Sequence, residues 1–219
     1  MTAALFRHSE VRIMPARTGK QYLEGLRSPR EIWMDGQRIS DVVDHPGLAG
    51  AAQAVADVFD LQHDAADICL APDPETGEPI NISHIVPRSA DDLMRRHRCL
   101  EKIAQYSVGL MGRTPDYLNV TFAGFAGDID AWAAHDNEQG AAYLTAYQKQ
   151  LAREDWALTH AIVSPAADKG KGEIPRPGET VTLRKVSDSE AGIVVRGSRA
   201  LATLAPFADE IAIYPRLPL

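Results

Sequence analysis

Cysteine is nearly absent from this chain: Cys69 and Cys99 are the only two, with no CxxC and no His pair near them. Such spacing speaks against a disulfide framework and against a structural zinc site. An excess of basic residues is also missing, since 23 Lys and Arg face 30 Asp and Glu, for a formal net charge of −7. A nucleic-acid surface is therefore not expected, because phosphate contacts need clustered cations. An anionic small molecule needs only one or two placed cations and stays compatible with this balance. No apolar run approaches the ~20 residues that span a bilayer. The opening MTAALFRHSEVRIMPARTG has no apolar core of the length (about 7–15 residues) that a signal peptide requires. A cytoplasmic protein, free of membrane, is expected.

Common catalytic signatures are missing too. There is no GxGxxG after a strand, no GxxxxGK[ST] and no GxSxG. His8, His45, His63, His84, His97 and His135 form no metal-binding spacing, and no carboxylate pair has the setting of glycosidase acid/base work.

What is present is ordinary globular composition, 45% hydrophobic over 219 residues, enough for one large domain or two small ones. Thr18 to Gln21 is a capping-box pattern, and Tyr22, Leu23 and Leu26 give the helix after it an apolar side. Asp35-Gly36 between apolar-rich flanks predicts a hairpin. Pro46 to Asp67 predicts a helix, with Leu48, Ala51, Ala52, Val55, Val58 and Phe59 near helical spacing. Ala71 to Pro79 reads as turn or loop, followed by a short extended piece from Ile80 to Val86. Ser89 to Asp92 caps a helix whose apolar face is Leu93, Leu100, Ile103, Ala104, Ser107, Leu110 and Met111, ending at Gly112. Pro115 opens a further turn or helix, and Asp136 to Trp156 a long one.

After Ala157 come short β-rich runs (AIV, VTLRKV, GIVVRG, EIAIY), with a basic, Pro/Gly-rich loop, AADKGKGEIPRPGE, after the first. Helices first and strands second predict an α+β protein with units at 1–157 and 158–219. Three or four short strands with open edges make a poor independent unit, so the second is expected to be incomplete.

Two strings carry candidate chemistry. In Met111 to Tyr117 (MGRTPDY), Arg113 and Asp116 read as local caps or a salt bridge. Alternatively, Arg113 and Tyr117, four apart, face one way and hold a phenolic or anionic oxygen. In Thr159 to Pro165 (THAIVSP), His160 is either a half-buried histidine bonded to backbone or a proton carrier that titrates near neutrality. Thr203, in ATLAPF, could bond a ligand ring.

The ordered set TGKQYLEGLRSPREIWMDGQRI, DVVDHPGLAGAAQAVADVFD, SADDLMRRH, MGRTPDY, THAIVSP and GIVVRGSRALATLAPFADEI resembles the oxygenase components of the 4-hydroxyphenylacetate 3-hydroxylase family. MGRTPDY is its most specific element. The resemblance implies an acyl-CoA-dehydrogenase-like build: a helical N-terminal domain, then the start of a β-barrel-like middle domain, with the C-terminal helical bundle missing. It further implies a homotetrameric flavoprotein monooxygenase of aromatic catabolism, with no permanently bound cofactor. A separate NAD(P)H:flavin reductase would supply reduced FAD (FADH2), O2 would form a C4a-hydroperoxide, and a phenol would become a catechol. Carried over by position, Arg113, Tyr117 and His160 surround the substrate hydroxyl, with His160 as base and Arg113 as charge partner. His160, Val163 and Thr203 line the flavin. The rivals are a non-catalytic fragment that associates with a full-length or C-terminal partner, and an enzyme like 4-hydroxybutyryl-CoA dehydratase, which would need cluster-binding cysteines.

Overall fold

The computed structural model describes residues 16–163, 165, 181, 183–190 and 192–214. The opening segment through residue 15, the whole of the basic loop expected at 166–179, and residues 164, 180, 182, 191 and 215–219 lie outside the described residues.

Helix α1 (Gly19–Leu26) starts where the sequence pattern places it. Gln21 N–H donates to Thr18 Oγ1 at 3.2 Å, and Thr18 N–H donates back to Gln21 Oε1 at 2.8 Å. Tyr22 and Leu26 are buried against α2 (Ala49–Asp64). The two helices cross so closely that a Cβ on Gly19 would sit 2.5 Å from the Ala56 carbonyl oxygen. Only glycine fits there, and its N–H donates to Asp60 Oδ1 at 2.7 Å. Between the helices, β1 (Ile32–Met34) and β2 (Gln37–Ile39) form the expected hairpin. Asp35 (φ 52) and Gly36 (φ 76) both take positive φ, as a type I′ turn demands. Ala51 is exposed on α2, and Ala56 and Gln62 are buried instead.

The segment after α3 (Ala66–Cys69) departs from expectation. Ala71, Pro72 and Pro79 are not loop: β3 (Leu70–Pro72) and β4 (Pro79–Asn81) pair antiparallel around a turn closed by Asp73. Prolines at opposed strand ends donate nothing to the ladder but tolerate this short, peripheral pairing. The extended piece stops at Asn81, because Asn81 Oδ1 accepts from Ser83 N–H and starts a 3-10 turn at Ile82–His84.

Helix α4 (Ala90–Tyr106) has the capping box expected from Ser89 and Asp92. It ends earlier than Gly112. Val108 and Gly109 turn to positive φ, and Gly109 N–H donates to Ala104 O at 2.9 Å. Its inward face is Cys99 and Ile103, whereas Leu93 and Leu110 are exposed. Helix α5 (Asp116–Gly127) follows Pro115, and α6 (Ile129–Ala133) leads to α7 (Glu138–Glu154).

Strand β5 (Leu158–Ala161) pairs in parallel with β8 (Glu210–Ile213). In the connection, β6 (Arg184–Ser189) and β7 (Gly192–Arg196) form an exposed antiparallel hairpin. A 3-10 turn at Ala205–Phe207 precedes β8.

One buried network fixes where β5 begins. Asp155, left-handed at the end of α7, accepts from Arg17 N–H at 2.9 Å and Gln62 Nε2 at 2.8 Å through Oδ2. Arg17 Nε donates to the Asp155 carbonyl at 2.9 Å, and its Nη2 pairs with Asp209 Oδ2 at 2.7 Å. Asp209 in turn accepts from Ala157 N–H at 2.7 Å. The start of α1, the end of α7 and the approach to β8 are thus held at a single point. Among the described residues, no helix is long and apolar enough to cross a membrane.

Candidate functional site

Alternation along β5 decides which way His160 faces. Leu158 is buried in a cluster with Leu118 of α5 and Leu151 of α7, so His160, two residues on, shares that face. Tyr117 is in the first turn of α5 because Pro115 fixes the helix start. The two side chains meet: Tyr117 Oη and His160 Nδ1 are hydrogen-bonded at 2.7 Å, with ring centroids 5.5 Å apart and planes at 65°.

Arg113 completes the group from the segment ahead of α5. Its guanidinium carbon lies 5.1 Å from the Tyr117 ring centroid, and Nη1 donates to the Gly112 carbonyl at 2.9 Å. It does not pair with Asp116, which points inward and is buried, its Oδ1 without a partner among the described residues. Arg113 and Tyr117 therefore lie side by side, with Arg113 placed ahead of the helix rather than on it. Burial, and secondarily the Arg113 charge, hold the His160 imidazole below its ordinary pKa. A neutral imidazole with Nδ1 engaged has Nε2 available as its proton-exchanging atom.

Val163 and Thr203 lie at the other end of the strand edge. Ala200 N–H donates to the Val163 carbonyl at 2.8 Å, so that carbonyl is engaged. The buried Thr159 hydroxyl donates to the Thr203 carbonyl, which anchors the 202–204 loop to β5. The Thr203 side chain is exposed, and its hydroxyl has no partner among the described residues. Arg113, Tyr117 and His160 thus come together, while Val163 and Thr203 join them through β5 rather than by direct contact.

Two features were not singled out from sequence. Tyr214, next after β8, shares a face with Glu210 and Ala212, and its ring contacts His160 at 5.8 Å. The period-two pattern of EIAIY was the signal for it. The Arg17–Asp155–Asp209 network carried no local signal.

A family model, "4-hydroxyphenylacetate 3-hydroxylase N terminal", matches residues 18–219. The 4-hydroxyphenylacetate 3-monooxygenase oxygenase component of Thermus thermophilus is 33% identical over 201 residues, covering 91% of this chain and 40% of that protein. A crystal structure of such an oxygenase component complexed with FAD superposes with a TM-score of 0.83 at 33% identity, covering 93% of this chain and 42% of that one. Another, complexed with FAD and 4-hydroxyphenylacetate, gives a TM-score of 0.82 at 32% identity, over 91% of this chain and 41% of its own. The chain spans about two fifths of the length of these relatives.

Proposed function

The chain belongs to the 4-hydroxyphenylacetate 3-hydroxylase N-terminal family, and from that premise we propose that it forms the phenol-holding part of a two-component, FADH2-dependent aromatic hydroxylase that converts a phenol to a catechol. The observation that carries this reading is the hydrogen-bonded Tyr117–His160 pair with the Arg113 guanidinium over the tyrosine ring.

Electrophilic attack ortho to a phenolic hydroxyl is faster the more phenolate character the ring has. His160, kept neutral, accepts the phenolic proton at Nε2. Arg113 provides the fixed positive charge that favours the resulting oxyanion. Tyr117 orients that oxygen, and its own position is set by His160. The residues beside this group suit a flavin: half-exposed Ile162 and Val163 and exposed Leu201 offer an apolar strip, and the Thr203 hydroxyl is unengaged among the described residues. Val163, its backbone bridged to Ala200, would offer the flavin its side chain. Reduced FAD, delivered by a separate NAD(P)H:flavin reductase, supplies with O2 the electrophilic oxygen. Residues 1–157 serve as the helical unit and 158–219 as the opening of the β unit, within a cytoplasmic homo-oligomer.

The test is a coupled assay of the purified chain with a flavin reductase, NADH, FAD, O2 and 4-hydroxyphenylacetate, quantifying catechol and peroxide. Catechol that is lost in both Arg113→Ala and His160→Ala supports the reading. Catechol indifferent to both variants, or no binding of the phenol by equilibrium dialysis, contradicts it and leaves association with a partner chain as the role.

A further inference from the structure

The second tyrosine against His160 has no part in the reading above. Tyr214 follows the last ladder residue of β8, and its N–H donates to the Ala161 carbonyl at 3.2 Å. That bond continues the register in which Ala212 faces His160, so Tyr214 projects from the same side of the sheet as the imidazole. Its ring meets His160 edge-on, at a centroid distance of 5.8 Å and an interplanar angle of 75°. His160 is therefore contacted by two tyrosine rings, but only Tyr117 bonds to it.

The Tyr214 hydroxyl is buried and has no hydrogen-bond partner among the described residues. The neighbouring phenol does not serve it, because Tyr147 Oη donates to Glu210 Oε2 at 2.7 Å. Among the described residues, the contact that Tyr214 makes with the site is made by its ring.

We propose that Tyr214 is the positioning residue of His160: its ring edge, acting with the Tyr117 hydroxyl, holds the imidazole in one orientation, with Nδ1 committed to Tyr117 and Nε2 presented to the ligand oxygen. The ligand half of this statement rests on the phenol-hydroxylase reading; the orientation half rests on the geometry of the ligand-free chain. The reason a clamp is needed is that an imidazole rotated by half a turn exchanges its two nitrogens for carbons at nearly the same positions, which would leave Tyr117 unbonded. Among the described residues, the groups that face the imidazole are Arg113 from the segment before α5, Tyr117 from α5 and Tyr214 after β8. The Tyr147–Glu210 pair lies behind Tyr214.

The test is nitrogen-15 NMR of histidine-labelled full chain, with the His160 resonances assigned by their loss in His160→Gln. In wild type and in Tyr214→Phe, one tautomer and a titration midpoint below the ordinary ~6.5 are expected. In Tyr214→Leu the midpoint rises toward that value, and the two ring-nitrogen shifts move toward an average. Affinity for 4-hydroxyphenylacetate falls roughly tenfold in Tyr214→Leu and less than about twofold in Tyr214→Phe. If Tyr214→Leu does not fold by circular dichroism, Tyr214→Met takes its place. An unchanged tautomer and midpoint in the leucine or methionine variant overturns the proposal, and so does a phenylalanine variant as impaired as leucine. Failure of the wild-type chain to bind the phenol, with the NMR differences intact, counts against the hydroxylase reading and not against the clamp.

Discussion

The Tyr117 hydroxyl and the His160 Nδ1 atom lie 2.7 Å apart, across a boundary between α5 and β5 that is 43 residues of chain wide. This bond links the helical part to the candidate chemistry on the strand. Replacing Tyr117 by Phe keeps the ring under Arg113 but removes the bond. The expected result is a ~5- to 30-fold loss of phenol affinity, in line with about 1–2 kcal/mol for a partly buried hydrogen bond, measured by isothermal titration calorimetry. Thermal stability should change by less than ~1 kcal/mol, since the ring packing is kept.

Proton affinity at His160 gives a second prediction. Burial and Arg113 both disfavour the imidazolium, so His160 stays neutral to below its ordinary ~6.5. The native state therefore resists a proton that the unfolded chain accepts. The associated stability is present above about pH 6.5 and declines as pH falls from there toward the lower native value. Phenol binding, which needs neutral His160, should follow the native midpoint. Arg113→Ala removes one of the two causes and should move that midpoint upward. A pH series of binding isotherms for the two proteins reads the shift, and an unmoved or lowered midpoint would count against the assigned cause.

The Arg17–Asp155–Asp209 network makes a separate claim on stability. Asp155 is fully buried, which by itself would raise its pKa, yet its bonds with His84, Arg17 and Gln62 hold the carboxyl below the usual value. Its stabilising contribution is present above the usual ~3.9 and is lost as pH falls through the lower native value. Asp155→Asn should cost about 3 kcal/mol, because it removes the buried carboxylate that faces His84 Nε2 at 3.4 Å and accepts from the Arg17 backbone N–H and Gln62 Nε2. Urea unfolding at neutral pH measures it, and the difference from wild type should shrink in acid.

Parts of this architecture are readable in the sequence because their causes are local. Thr18 and Gln21 cap a helix three residues apart, and Asp35-Gly36 needs only its own backbone preferences. Arg113 does meet Tyr117, four positions on, but from the bend ahead of α5 rather than across a shared helix face, and the half-buried His160 bonds Tyr117 rather than backbone. What was missed depends on distant partners. Arg17 finds Asp155 and Asp209 from 138 and 192 residues away, and no local pattern reports such a pairing. The end of α4 was misplaced for a different reason: Gly109 and Gly112 are both plausible stops, and only the capture of the Ala104 carbonyl by Gly109 N–H separates them. Pro72 and Pro79 concealed the β3–β4 pairing because proline ordinarily argues against a strand.

Thr159 supplies a further check on how the strand edge is built. Its buried hydroxyl donates to the Thr203 carbonyl and so holds the loop that carries the Thr203 side chain. Thr159→Val keeps the shape but leaves that carbonyl unpaired. A loss of about 1–2 kcal/mol in unfolding free energy is expected, together with weaker reduced-FAD binding, read by fluorescence under anaerobic conditions. Equal flavin affinity in the two proteins would argue that the 202–204 loop has no part in holding the cofactor.

The central claim is that Arg113, Tyr117 and His160 draw a bound phenol toward its phenolate. Difference absorbance with 4-nitrophenol, whose phenolate band is distinct from that of the neutral phenol, measures this directly. The account predicts that the bound probe shows the phenolate band at a pH where the free probe is mostly neutral, and that the band is lost in Arg113→Ala/His160→Ala. A probe that binds as the neutral phenol, or a phenolate band that survives in the double variant, would contradict it.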